Sequence, residues 1–243
     1  PAPPTGTVET MLLSGSTIYL GGTFSAMGST SRGNLAAIDA STGTLLSWGP
    51  VADGPVHTLF LDSGVMYVGG AFFHLAGVVR NNARAVNAST GVATSWTPNV
   101  FGAVFGIVRS GTLVYVGGAF SVVNSVIRNN LAAVDAGTGV IQSWSPGTNG
   151  PVSAVALVSS TLYVGGEFTI VRGQPRDRLA ALDPVSGQLT AWDPDADGAV
   201  QKLVPTGSAM MLLGSFNHLG GLPRPNVGVV DIGTGATLGS SPT

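Results

Sequence analysis

Short runs of apolar and β-branched residues alternate along the chain with stretches of Gly, Ser, Thr, Asn and Pro. In one stretch the runs are Val56–Leu61, Val65–Gly70 (VMYVGG), Ala83–Asn87 and Val92–Trp96; Leu131–Asp135 (LAAVD) shows the third run more cleanly. Such residues fit a pleated, half-buried surface, and each run is short enough to be a strand. Turn-forming residues separate them: Ser63–Gly64, then a polar loop, then Thr90–Gly91, then a stretch carrying Pro and Gly. No segment keeps an apolar period of about 3.6 residues over three turns, so the pattern predicts strands and no helix.

The runs recur at a fixed step of 48 residues. That step links Phe24, Phe72, Phe120, Phe168 and Phe216, and likewise Val8, Val56, Val104, Val152 and Val200. It also links Gly22, Gly70, Gly118, Gly166 and Gly214; Arg32, Arg80, Arg128, Arg176 and Arg224; and Pro50, Pro98, Pro146, Pro194 and Pro242. Four strands per repeat of this length predict a propeller blade. The expectation is an all-β, five-bladed β-propeller with four antiparallel strands per blade. The blades fall at about 1–48, 49–96, 97–144, 145–192 and 193–243 of a single domain. The phase of the repeat makes each blade contiguous in sequence. It therefore predicts no strand exchange at closure, with side-chain packing between the first and fifth blades instead.

The unit LYVGGEF…RDRLAALDPVSGQLTAWDP, residues 162–194, resembles a kelch-type blade: a hydrophobic run, a glycine pair, Asp-x-x-Ser/Thr-Gly, then Trp and Pro. It is still more similar to a bacterial extracellular β-propeller repeat with the pattern G-G-x-F, R-N-x-L-A, D-x-x-T-G and W-x-P. The resemblance covers all five units. It implies a propeller in a secreted or cell-surface setting, and it implies no particular activity. The fifth unit departs most, with Leu213–Gly214 for the glycine pair and Ser240 for Trp, as a relaxed terminal blade does.

Composition narrows the function. Charged residues make up 9% of the 243, the net charge is −2, and basic residues form no cluster. A nucleic-acid groove therefore has no electrostatic basis. No apolar stretch reaches the length of about 18 residues that a membrane helix needs. Without cysteine, thiol catalysis, disulfides and Cys-ligated zinc are excluded. Pro1-Ala2-Pro3-Pro4 reads as a linker end of a longer protein. Asn87-Ala88-Ser89 is a sequon, relevant only in a eukaryotic secretory host.

Recurring residues read first as framework: glycines for close backbone approach, tryptophans for packing between blades, arginines for a bond to a carboxylate or carbonyl that fixes a loop. A sugar-stacking platform is the alternative role for the tryptophans. Candidate chemistry then lies where one unit departs from the others. The first strand begins and the second ends at the same end of the ring, which defines a top face. Glu9, His57, Phe105, Ser153 and Gln201 form an equivalent series on its inner rim, and His74, Glu167 and His218 share that face. Glu9, His57, His74 and His218 sit on neighbouring blades and are candidates for a shared ligand-binding, metal or acid–base site at the channel mouth. Asp193, Asp195 and Asp197, in D-x-D-x-D-G, open like a calcium loop, but Val204 stands where an EF-hand needs Glu. Ca²⁺ is thus the one candidate cofactor.

The first functional expectation is a non-enzymatic extracellular binding or scaffold module, monomeric, taking a glycan or a cell-surface protein. Equal loop lengths and a Ser/Thr/Asn/Gly surface support it, and multivalent glycan binding is its sharper form. The second is a glycoside hydrolase using Glu9 and Glu167, the only glutamates. The third is a symmetric propeller with no evolved ligand site.

Overall fold

The computed structural model describes residues 3–79 and 81–239. Arg80, Ser240 and Pro242 of the repeat lie outside them. Among the described residues every regular element is a strand, as the periodicity predicts. No helix is long and apolar enough to cross a membrane. The chain divides into two compact units. The first runs to Ile107 and takes in Val122–Val126 and Val134–Ile141; the second holds Val108–Ser121, Ile127–Ala133 and the chain from Gln142 onward.

The first module is β1 (Pro4–Ser14), β2 (Thr17–Met27), β3 (Thr30–Ser31) and β4 (Leu35–Asp39). The second is β5 (Val56–Asp62), β6 (Val65–Gly70), β7 (His74–Leu75), β8 (Val78–Val79) and β9 (Ala83–Asn87). The boundary between the units passes through the third, which repeats the succession as β10 (Val100–Ser110), β11 (Leu113–Val123), β12 (Val126–Ile127) and β13 (Leu131–Asp135). The fourth is β14 (Val152–Val158), β15 (Thr161–Gly166), β16 (Ile170–Val171), β17 (Gln174–Pro175) and β18 (Leu179–Leu182). The fifth is β19 (Ala199–Thr206), β20 (Ala209–Ser215), β21 (His218–Leu219), β22 (Leu222–Pro223) and β23 (Val227–Asp231). In modules one, two, four and five the three long strands form an antiparallel sheet with the second strand in the middle, and each sheet is contiguous in sequence.

Two details differ from the four-strand expectation. The fourth strand shrinks to single bridges: Ile38–Leu45, Val86–Ala93, Val134–Ile141, Leu182–Leu189 and Val230–Thr237. The reason is local. Thr94 Oγ1 accepts the Trp96 amide at 3.3 Å, and Thr190 Oγ1 accepts the Trp192 amide at 3.2 Å. Each side chain competes with the ladder and ends it, so the following Trp turns inward. The polar loop between second and third strands, in turn, contains a tight hairpin. Ala76–Gly77, Arg172–Gly173 and Gly220–Gly221 all have positive φ, the type I′ geometry that matches strand twist. Arms of two residues are too short to register as alternation.

The repeated signature is an interlock between consecutive modules. Tyr19 and Trp48 meet edge to face at 4.9 Å. The Tyr19 hydroxyl donates to the Ala88 carbonyl at 3.0 Å, and Trp48 Nε1 to the neighbouring Asn87 carbonyl at 3.4 Å. Tyr67 and Trp96 grip Ala136 and Asp135 in the same way, Tyr115 and Trp144 grip Pro184 and Asp183, and Tyr163 and Trp192 grip Ile232 and Asp231. All four tryptophans are buried, so they pack between blades and offer no exposed platform for a sugar.

The glycine pair has two separate jobs. A Cβ on Gly21, Gly69, Gly117 or Gly165 would lie 2.6–2.8 Å from Cγ1 of Val56, Val104, Val152 or Val200 in the following module. A Cβ on Gly22, Gly70, Gly166 or Gly214 would lie 2.0–2.1 Å from a carbonyl oxygen in, or immediately before, the first strand of its own module. Met11 is 71% exposed where its equivalent Leu59 is 8% exposed.

The arginines fix loops through carbonyls of their own module. Arg32 donates to Leu46, Arg128 to Gln142, Arg176 to Thr190 and Arg224 to Gly239. The third-strand aspartates cap the turns that follow. Asp39 Oδ1 accepts the amides and hydroxyls of Ser41 and Thr42, which hold its pKa at about 2 against an ordinary 3.8. Asp135, Asp183 and Asp231 are lowered through the same Asp-x-x-Ser/Thr turn. A carboxylate whose folded pKa lies below its unfolded one contributes stability above the unfolded value and loses it as pH falls through the folded one. The melting temperature is therefore expected to hold above about pH 5 and to drop between about pH 4 and 2. Asp183→Asn should shrink that drop. A melting profile flat down to pH 2 would contradict the assignment.

Candidate functional site

The equivalent series of Glu9, His57, Ser153 and Gln201 sits on a structural device. Strand register shifts between Val8 and Thr10, Val56 and Thr58, Val152 and Ala154, and Val200 and Lys202. Glu9, His57, Ser153 and Gln201 are thus the extra residues of β-bulges, which re-aim side chains. The second glycine of each pair lies opposite this bulge, where its missing Cβ makes room for the displaced backbone.

Of the predicted site residues, the structure joins Glu9 and His57. Glu9 Oε2 meets His57 Nδ1 at 2.5 Å, and Glu9 Oε1 accepts the Thr23 hydroxyl at 2.7 Å. The His57 ring tilts against Phe105 with centroids 5.2 Å apart. In a Ser-His-Asp relay the hydroxyl donates to the imidazole. Here it donates to the carboxylate, so the imidazole does not activate it.

The other two histidines do not join this pair in a metal or acid–base cluster; each has its own carboxylate. His74 Nδ1 meets Asp53 Oδ2 at 2.6 Å, and His218 Nδ1 meets Asp197 Oδ2 at 2.8 Å. The second oxygen of Asp53 accepts the amides of Phe73 and His74, and that of Asp197 accepts those of Asn217 and His218. Asn149 caps Thr169 and Ile170 identically. These hydrogen bonds, led by the His218 amide, hold Asp197 at about 2.

Asp193, Asp195 and Asp197, the candidate calcium loop of the sequence, have separate surroundings. Asp197 belongs to the framework series Asp53, Asn149 and Asp197. Asp193 pairs with Arg176 at 3.3 Å, and burial pushes its pKa up. Asp195 takes a positive φ in the linker, and its carbonyl accepts the Gly220 amide. Among the described residues no three His, Asp or Glu side chains form a group that could hold a metal ion. Glu167 is exposed, and its carbonyl accepts Arg178 Nη1 at 2.6 Å. Gln201 is exposed, and its amide donates to Ser215 Oγ at 3.3 Å.

Two clefts occupy equivalent places in the first unit, each at a boundary between modules. One, of about 480 Å³, is lined by hydroxyl-bearing residues including Thr5, Thr23, Ser25 and Ser31, with Asn34 and Val51. The other, of about 340 Å³, is lined by Ala71, Phe73, Asn81, Asn82, Phe101, Gly102 and Ala103. Phe73 and Phe101 escape a search directed at titratable residues. They are nevertheless legible as departures from the repeat. Phe73 replaces Ser25, Ser121, Thr169 and Asn217; Phe101 replaces Thr5, Asp53, Asn149 and Asp197.

No protein-family model matches the chain, and no curated protein matches it. Solved structures do. The WD40 domain of Neurospora crassa Pan2 aligns with 96% of this chain and 65% of its own at 12% identity, with a TM-score of 0.64. BamB from Moraxella catarrhalis aligns with 97% of this chain and 61% of its own at 18% identity, TM-score 0.54. The computationally designed Ika4 protein aligns with 66% and 85% at 16% identity, TM-score 0.50. The chain thus spans under two thirds of the two natural proteins. At these identities the likeness shows an all-β, propeller-like fold and nothing of function.

Proposed function

We propose that the chain is a non-enzymatic binding or scaffold module, a five-bladed β-propeller working outside the cell, that presents side chains on a fixed frame. The contrast between frame and rim carries this reading. The Tyr–Trp interlock recurs in the first four modules and the capped turn in all five. The bulge position, by contrast, holds Glu, His, Phe, Ser and Gln in turn. A framework under one packing constraint repeats itself, and positions free of that constraint diverge toward binding. The five equal units supply five blades.

A melting-temperature screen against neutral and acidic glycans tests it. A ligand at about a hundred times its Kd adds about 2.7 kcal/mol, or roughly 5–11 °C in a protein of this size. The same glycans should emerge uncleaved. Turnover that Glu9→Gln or Glu167→Gln abolishes would overturn the non-enzymatic reading.

A further inference from the structure

We infer that the cleft between Phe73 and Phe101 binds one ring of a neutral glycan, as a single site per chain. The inference rests on the binding-module reading and names its ligand class and location. Phe73 is 66% exposed and Phe101 49% exposed, so both rings face solvent where the other repeats have polar residues at these positions. Two independent departures from the repeat converge on one module boundary in a cleft of about 340 Å³, within the usual range for small-ligand sites.

The polar contacts divide cleanly. Asn82 is committed to the frame, its Nδ2 donating to the Val100 carbonyl at 2.8 Å. Asn81 uses its backbone carbonyl for the amides of Ala83 and Val100. Its half-buried carboxamide lines the cleft and makes no hydrogen bond to the described residues. The cleft therefore offers two phenyl faces and one amide that both donates and accepts.

Among the described residues no charged side chain lines it, so from these a phosphate, carboxylate or ammonium ligand would gain no counter-charge and would lose hydration. A pyranose ring fits that lining: its C–H face lies on a phenyl ring, and its hydroxyls exchange hydrogen bonds with the amide. The neighbouring cleft is lined by Thr5, Thr23 and Ser25, and its one aromatic lining residue, Phe24, is only 3% exposed, so it offers no open phenyl face. This predicts one site rather than a multivalent ring of five.

The test is titration calorimetry of the whole chain with neutral oligosaccharides: glucans, mannans and galactans. The substitutions Phe73→Ser, Phe101→Thr and Asn81→Gly each install what another repeat carries at that position, so the fold has a precedent for each. Wild type is expected to bind one of these series with a stoichiometry of one. Phe73→Ser and Phe101→Thr should each weaken binding about tenfold or more, and Asn81→Gly several-fold. Binding unchanged by both phenylalanine substitutions, or a stoichiometry near five, overturns the single aromatic site and leaves the binding-module reading standing. No heat from any neutral series at about 10 mM overturns the ligand class. The binding-module reading then falls only if the wider screen and the cleavage assay also go against it.

Discussion

Trp96→Ala is expected to lower the melting temperature by roughly 6–20 °C, the equivalent of about 3–5 kcal/mol for removing a buried Trp side chain. Trp96 is 1% exposed, meets Tyr67 edge to face at 5.0 Å, and donates Nε1 to the Asp135 carbonyl at 3.0 Å. The substitution empties the space between consecutive modules and removes one of the two donors to the Asp135 carbonyl, which the Gly139 amide still serves at 2.8 Å, so the loss of packing dominates and the lost hydrogen bond adds to it. Trp96→Phe keeps an aromatic edge against Tyr67 and should cost less, about 1–2 kcal/mol, mainly from the lost donor. Val92→Ala, at a side chain 65% exposed near the same turn, should leave the melting temperature within about 1–2 °C. If Trp96→Ala behaved like Val92→Ala, the interlock would not be what joins the modules.

Gly70→Ala should destabilise by about 3 kcal/mol or more, read as a fall in the urea midpoint. The added Cβ would sit 2.0 Å from the Pro55 carbonyl oxygen and 3.0 Å from Val56 Cα. Both atoms are backbone, and β5 would have to move at its bulge. Because that bulge aims His57, the His57–Glu9 contact should loosen as well, visible as a shift of the His57 imidazole resonances. Gly64→Ala is the control. Nothing lies within 4 Å of its Cβ, but φ is +77°, so the cost is conformational, about 1–2 kcal/mol. Equal effects at the two positions would show that left-handed strain, rather than the close approach of strands, explains the recurring glycines.

These two positions also show how far the sequence could be read. Its period of 48 marked Gly70 and Trp96 as framework and assigned the tryptophans to packing between blades, because a residue fixed in successive modules meets the same neighbours in each. It could not show that the two glycines of a pair do different work. One faces the next module's valine and the other faces its own first strand, and the two contacts are set by strand register. The histidines stand at divergent positions of the repeat. Their individual partners could not be read from it, since His74 and Asp53 are 21 residues apart and become partners only when the hairpin of β7 and β8 folds over the linker. Asp197 looked like part of a calcium loop because three carboxylates are close in sequence. Its recurrence with Asp53 and Asn149 is the signal that identifies a cap.

By itself, then, the amino-acid order determined the class of fold, the length of each module and the parts that had to be alike. Those follow from local properties: β-propensity, turn chemistry and a repeated need to bury the same apolar face. Only the tertiary structure decided the partners. It paired Glu9 with His57, spent one oxygen each of Asp53 and Asp197 on loop amides and tied Asn82 into the frame while leaving Asn81 beside two exposed phenyl rings. Such pairings depend on angles and distances between segments far apart in the chain, and a change of one or two ångströms decides whether a polar group is satisfied or open to a ligand.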